Sequence, residues 1–147
     1  MKQFIVLAAV LPLMMIFVMQ AGYDQKNGYA ISLIHDIVYA SKEEAKAEGS
    51  FTSEIQNRLR KNLSRALDVA PREISIFCKE EGDTLYYRVE APIKRVVAGN
   101  KLLGIKDEEN QYTYVIDSYT KSIKPYRPEP EPEPETEPEP EPEPDEL

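Results

Sequence analysis

Residues 4–19 of the chain read FIVLAAVLPLMMIFVM, sixteen consecutive residues that are all apolar or proline. With its flanks, this apolar segment reaches about twenty residues, and a membrane-spanning helix needs roughly 17–25. Pro12 removes one helix hydrogen bond, which membrane helices tolerate better than soluble helices do. The apolar segment therefore predicts a transmembrane helix within residues 1–22 that contacts the membrane through residues 4–21.

The same segment leaves two alternatives open, a retained anchor and a cleaved export signal. A cleavable signal has an apolar region of roughly 7–15 residues that ends in a small-x-small site. Cleavage after Ala21 puts Met19 three positions before the cut, and cleavage after Gly22 puts Gln20 there, so neither site fits well. Both alternatives keep Lys2 and the N-terminus in the cytoplasm and send the rest of the chain across the membrane.

Two helices are predicted up to residue 71. Asp24–Glu48 contains no proline and carries apolar residues at helical spacing before Gly49, so the anchor is expected to continue as one long helix. Ser50 or Thr52 can cap a second helix that ends by residues 68–71. The apolar stripe predicted for this second helix comprises Ile55, Leu59, Leu63, Leu67 and Ala66.

The period then changes from helical to alternating, which is typical of strands. Between residues 74 and 79, Ile74, Ile76 and Cys78 alternate with Ser75, Phe77 and Lys79. After the turn signal at residues 80–83, an apolar face recurs at every second residue from Leu85 to Ile93. Pro92 cannot donate to a strand ladder, so the second strand is expected to be an edge strand there or to end nearby. With a further strand at Tyr112–Tyr119, the prediction is a small antiparallel sheet of three or four strands in an α+β fold.

The charge of the chain is divided unevenly. The net charge is −8, but ten of the 26 acidic residues lie in residues 128–147, where there is no basic residue. Residues 1–127 carry 16 acidic and 18 basic residues. The tail also holds eight of the 12 prolines, which forbid a helix, and its like charges repel along the chain. We therefore predict an extracytoplasmic domain at residues 23–123 and a disordered, proline-rich acidic tail at residues 124–147.

Little in the sequence points to a reaction. Cys78, the only cysteine, lies on the apolar side of a strand pattern and is expected to be a buried, inert thiol. His35 is the only histidine and has no thiol near it in sequence. No glycine-rich phosphate loop, nucleophile elbow or paired metal-ligand spacing occurs. We predict a protein that is not an enzyme, with no catalytic residue, no cofactor and no metal site.

Two charged clusters, one acidic and one basic, can be either solvent-exposed surface or binding sites. The acidic run Asp107–Glu109 lacks the alternating ligands and central glycine of a calcium loop, so a solvated turn is expected. Arg58, Lys61 and Arg65 lie opposite the apolar stripe of the second helix. The predicted topology places this basic face outside the cytoplasm, which argues against nucleic acid. It is either a solvated helix face or an anion-binding face for lipid headgroups or for the acidic tail.

The arrangement resembles the type IV pilin-like plan, and more narrowly the TadE-like minor pseudopilins of bacterial tight-adherence pilus systems. The resemblance is carried by Met1–Gln3 before the apolar segment, by the continuation to Glu48, and by the segment from Val89 to Ile105. A processed prepilin has a glycine before the apolar segment and a glutamate at its fifth mature position. This chain has neither, so no functional residue is carried over.

The resemblance implies a membrane-anchored accessory subunit of a surface pilus or secretion apparatus. Its expected partners are the membrane and other membrane or pilus-assembly proteins, and its oligomeric state is left open. The alternative is a stand-alone envelope protein whose Glu-Pro rod acts as a spacer or binds cationic partners. Glu-Pro runs also resemble the stiff spacers of the TonB family, although here we expect no folded domain after the run.

Overall fold

The structure is a computed structural model that describes residues 2–124, without the side chain of Lys2. Its elements are α1 (Lys2–Glu48), α2 (Ser53–Leu67), a short 3₁₀ turn (Pro71–Glu73), β1 (Ser75–Glu81), β2 (Thr84–Lys94) and β3 (Gln111–Lys121). This order confirms the predicted α+β class, with two helices followed by strands. The predicted disorder of the acidic tail concerns residues 125–147, which lie outside the described residues.

Helix α1 has two halves in different surroundings. It is one continuous helix of 47 residues that passes through Pro12, as the sequence predicted. Side chains of the apolar segment are exposed, including Phe4 at 78% and Val18 at 74%. By length and composition α1 can cross a membrane, and none of its most apolar stretch is buried inside the protein. The second half, in contrast, packs against α2 and the sheet.

The core lies between the second half of α1, helix α2 and one face of the sheet. From α1 it takes Ile34, Val38 and Ala45, all buried. From α2 it takes the predicted stripe residues Ile55, Leu59 and Leu63, also buried, with Leu67 half-buried beside them. The prediction for Ala66 was wrong, because this residue is exposed in the last turn of α2.

Local sequence explains where the two helices end and begin. Gly49 has φ +95°, a conformation that L side chains rarely adopt, and its amide donates to the Ala45 carbonyl at 2.8 Å. Thr52, rather than Ser50, caps α2, because its Oγ1 accepts from the Ile55 amide at 3.3 Å. At the other end, Asp68 adopts a left-handed conformation that stops the helix.

The three strands form one antiparallel sheet in the order β1-β2-β3. The buried residues of β2 are the predicted alternating set Leu85, Tyr87, Val89, Ala91 and Ile93. β1 is paired only as far as Ser75, opposite Glu90, so β2 has a neighbour on one side alone at Pro92. The predicted edge position of Pro92 is thus confirmed. β3 extends slightly beyond the predicted Tyr112–Tyr119 at both ends.

Candidate functional site

The loop that joins β2 to β3, residues 95–110, docks against α1 where the apolar segment ends. We call it the docked loop. The Gln20 side chain holds it, since Oε1 accepts from the Ala98 amide at 2.8 Å and Nε2 donates to the Val96 carbonyl at 3.0 Å. Nε2 also donates to Asp24 on the next turn of α1 at 2.8 Å. The first polar side chain after the apolar segment therefore fixes the position of a loop nearly eighty residues away.

A second amide side chain shapes the docked loop from within. Asn110 is only 5% exposed, and its Oδ1 accepts from the amides of Val96 and Val97 at 3.0 and 2.8 Å. Its Nδ2 donates to the Val97 carbonyl at 2.9 Å. Buried polar groups are stable only when they are hydrogen-bonded, so this network defines the backbone path of residues 95–97. The buried Asn27 of α1 adds a longer contact, 3.5 Å, to the carbonyl of Arg95.

The docked loop reaches down to the apolar segment itself. A β-carbon at Gly99 would lie 3.5 Å from the side chain of Ile16, so the loop backbone comes within about one bond length of contact with that residue. Gly99 also has φ +68°, which favours glycine at this close approach. Just beyond it, Leu102 and Leu103 are 77% and 66% exposed. Two exposed leucines thus follow, by three and four residues, the glycine at which the docked loop approaches the apolar segment.

The residues of the predicted basic face lie on the exposed side of α2. Arg58, Lys61 and Arg65 are all exposed. Arg58 is engaged with carboxylates, at 2.8 Å from Glu44 of α1 and 3.3 Å from Glu54 of α2. Within the described part of the chain, Lys61 and Arg65 form no ion pair. Anion binding by this face stays a prediction. Lys61 and Arg65 are better candidates for it than Arg58, whose charge is already paired.

His35 has a structural partner. Its Nε2 lies 2.8 Å from the Tyr114 hydroxyl, and the two rings meet edge to face at 5.8 Å between centroids. This contact joins α1 to β3. Cys78 lies on β1, which is separated from β3 by β2, so the sheet order gives no support to a His35–Cys78 pair.

A surface depression of the domain is lined by Glu73, Lys94, Asp107, Glu108 and Gln111. The Lys94 ammonium lies 2.7 Å from Glu73 and, with the Ala70 amide, lowers the pKa of that carboxyl. The Asn100 side chain donates to Asp107 at 2.8 Å and, with Lys101, lowers the pKa of this second carboxyl. Lowered pKa values keep both groups ionised, whereas a general acid at neutral pH needs a raised one.

The pH dependence of Cys78 alkylation tests whether the folded chain shields this thiol. Burial, followed by the negative charge of Glu80, raises the pKa of the half-buried thiol to about 11. Only the thiolate reacts with iodoacetamide, so alkylation should be slow at pH 7 and rise about tenfold per pH unit until the pKa is approached.

In the urea-unfolded chain, the same rate should level off near the ordinary thiol pKa of about 8.5. Mass spectrometry of alkylated protein measures both profiles. A folded-state rate that levels off below pH 9 would show that the thiol is not shielded. Folding favours the protonated thiol, because the pKa of Cys78 is higher in the folded chain than in the unfolded chain. The resulting contribution to stability is present below the unfolded pKa and is lost as pH rises through about 11.

The docked loop is held by hydrogen bonds from three polar side chains, Gln20, Asn27 and Asn110. The sequence pattern did not predict a role for any of them. Among residues 2–124, no group of three or more His, Cys, Asp or Glu side chains is placed to hold a metal ion. Comparisons with family models, curated proteins and solved structures find no match to this chain.

Proposed function

We propose that the protein is a membrane-anchored, non-enzymatic, pilin-like accessory subunit of a bacterial surface pilus or secretion apparatus. The observation that carries this proposal is the division of α1. Its apolar segment is exposed, while its second half is packed beneath an antiparallel sheet. An exposed apolar surface of this length is costly in water and favourable in a bilayer or against other apolar helices.

The direction of insertion follows from charge. Lys2 precedes the apolar segment, and the first acidic residue after it is Asp24. Positive charges near a membrane helix stay on the cytoplasmic side. The N-terminus is then cytoplasmic, and the α+β domain with the acidic tail is outside.

The pilin-like part of the proposal is supported by the plan of the molecule. A single helix runs from the membrane into the domain without a break, so a contact made by the apolar segment is rigidly connected to the sheet. Subunits built this way assemble by packing their helices in the membrane, with the domains touching outside. Helix association in lipid relies on close packing along one face.

Photo-crosslinking along the apolar segment tests assembly. A photo-crosslinking amino acid is placed, one position at a time, in the full chain, which is expressed in the bacterium that naturally makes it. The six positions are all exposed: Val10, Leu11, Leu13, Met14, Phe17 and Val18. We expect protein adducts at positions three or four residues apart, because residues at that spacing share a helix face. Gel analysis of the adducts measures this. A helix surrounded only by lipid would give no protein adduct at any position, and accessory-subunit function would then be rejected.

The acidic tail supports the second candidate, an envelope protein that works through its Glu-Pro rod. Ten of the twenty residues in 128–147 are acidic and none is basic, a charge that suits cationic partners. A chain that ends at residue 127 separates the two candidates. For a pilin-like subunit the pattern of adducts should be unchanged, whereas a rod-based function would be lost while the anchor and fold persist.

A further inference from the structure

We infer that the docked loop is a second membrane contact, in which Leu102 and Leu103 insert into the outer edge of the bilayer beside the apolar segment. The inference depends on the membrane anchoring in the proposed function. Beyond the anchor, the inference assigns a lipid-binding site to the folded domain. This site contacts the boundary between the lipid headgroups and the acyl chains.

Depth is the first argument. Ile16 lies three residues before the end of the apolar segment, which is about 4.5 Å along a helix. If the apolar segment is in the hydrocarbon, Ile16 is in it too. Gly99 lies next to Ile16, since a β-carbon there would be 3.5 Å from its side chain, so the loop backbone reaches the same level. Gln20 holds the loop there through two hydrogen bonds.

Length is the second argument. The sixteen strictly apolar residues rise about 24 Å, so the span matches a hydrocarbon core of about 30 Å only when flanking residues, including the polar Gln20 at the outer end, are counted. A short span draws flanking structure into the interface or thins the bilayer locally. The docked loop lies at the outer end of the span, where it can supply the missing apolar surface.

The chemistry of the loop fits such a position. Lipid does not hydrogen-bond to backbone, so an inserted turn must satisfy its own amides. The amides of residues 102–105 all donate within the turn, to the carbonyls of Gly99, Asn100 and Lys101. The two leucines point their exposed surface away from the protein. Beside them Lys101 has a long, exposed side chain that can return its charge to the headgroups.

Tryptophan fluorescence tests the inference, because the natural chain contains no tryptophan. Leu102→Trp and Leu103→Trp, each in the full chain, are reconstituted into phosphatidylcholine vesicles with or without bromine at a shallow acyl position. Interfacial segments bury apolar side chains roughly 5–10 Å deep. Shallow bromine should therefore quench most of the emission of both variants, and their emission should be at shorter wavelength than that of an exposed tryptophan.

Two matched variants make the outcome decisive. Phe77→Trp, at an exposed site of β1, should show no quenching, and Phe17→Trp, in the apolar segment, should be quenched. If Phe17→Trp is quenched and both loop variants are not, the inference is overturned while the anchor stands. Loop emission that is at short wavelength but unquenched would mean that protein covers the leucines, which also overturns it. If Phe17→Trp is not quenched, the membrane anchor itself fails.

Discussion

Leu63→Ala is expected to lower the free energy of unfolding by about 2–5 kcal/mol. Leu63 is fully buried at the centre of α2 and belongs to the cluster that joins α1, α2 and the sheet. Truncation removes buried apolar surface and leaves a cavity that the surroundings refill only in part. Since small domains are stable by only about 5–15 kcal/mol, one such change removes a large share of the total.

Urea unfolding of the full chain in detergent micelles measures this loss. The tyrosine signal reports on the core, because Tyr87 is buried against Phe51 with 5.5 Å between ring centroids. The midpoint should shift without a change in slope. Leu63→Met, which conserves volume, should cost less than about 1.5 kcal/mol. An equal loss from both variants would indicate that packing at Leu63 is not what stabilises the domain.

The core residues were predictable from the sequence because apolar residues recur along α2 and β2 with the period of a helix and of a strand. Helical spacing identified Ile55, Leu59 and Leu63, and alternation identified the inner face of β2. Periodicity gives the direction of a side chain but not where along a helix its packing partner ends. Ala66 shows the difference, since it lies on the same side as the stripe and is nevertheless exposed in the last turn.

The docked loop was not predictable in the same way. Its position depends on single amide side chains, Gln20 and Asn110, which bond to backbone groups distant in sequence or across a turn. Such contacts leave no repeating pattern, and both residue types are common on surfaces. Arg58 is an intermediate case. Its pair with Glu54 follows from four-residue spacing, but its shorter bond to Glu44 of α1 requires the helix packing to be known.

A second large effect is expected from Leu11→Arg, at the middle of the apolar segment. No part of the described domain covers Leu11, which is more than half exposed, so the new charge would have no protein partner. Arginine at the centre of a membrane helix costs about 2.5–3.5 kcal/mol and leucine contributes favourably, so the equilibrium constant for insertion should fall on the order of a hundredfold and the retained fraction should fall with it. Carbonate extraction of membranes, followed by immunoblotting, measures the retained fraction.

Gln25→Arg is the matched control, because residue 25 is also exposed on α1 but lies beyond the apolar segment. It should remain in the membrane fraction like the natural chain. N-terminal sequencing of that chain distinguishes the two fates of the apolar segment. A retained anchor leaves residue 11 in the mature protein, and Leu11→Arg then releases the protein from the membrane. A cleaved signal removes it, and the same substitution then blocks export and leaves a precursor. Equal retention of Leu11→Arg and Gln25→Arg would contradict the placement of residue 11 at the centre of the bilayer, because a central arginine costs about 2.5–3.5 kcal/mol there.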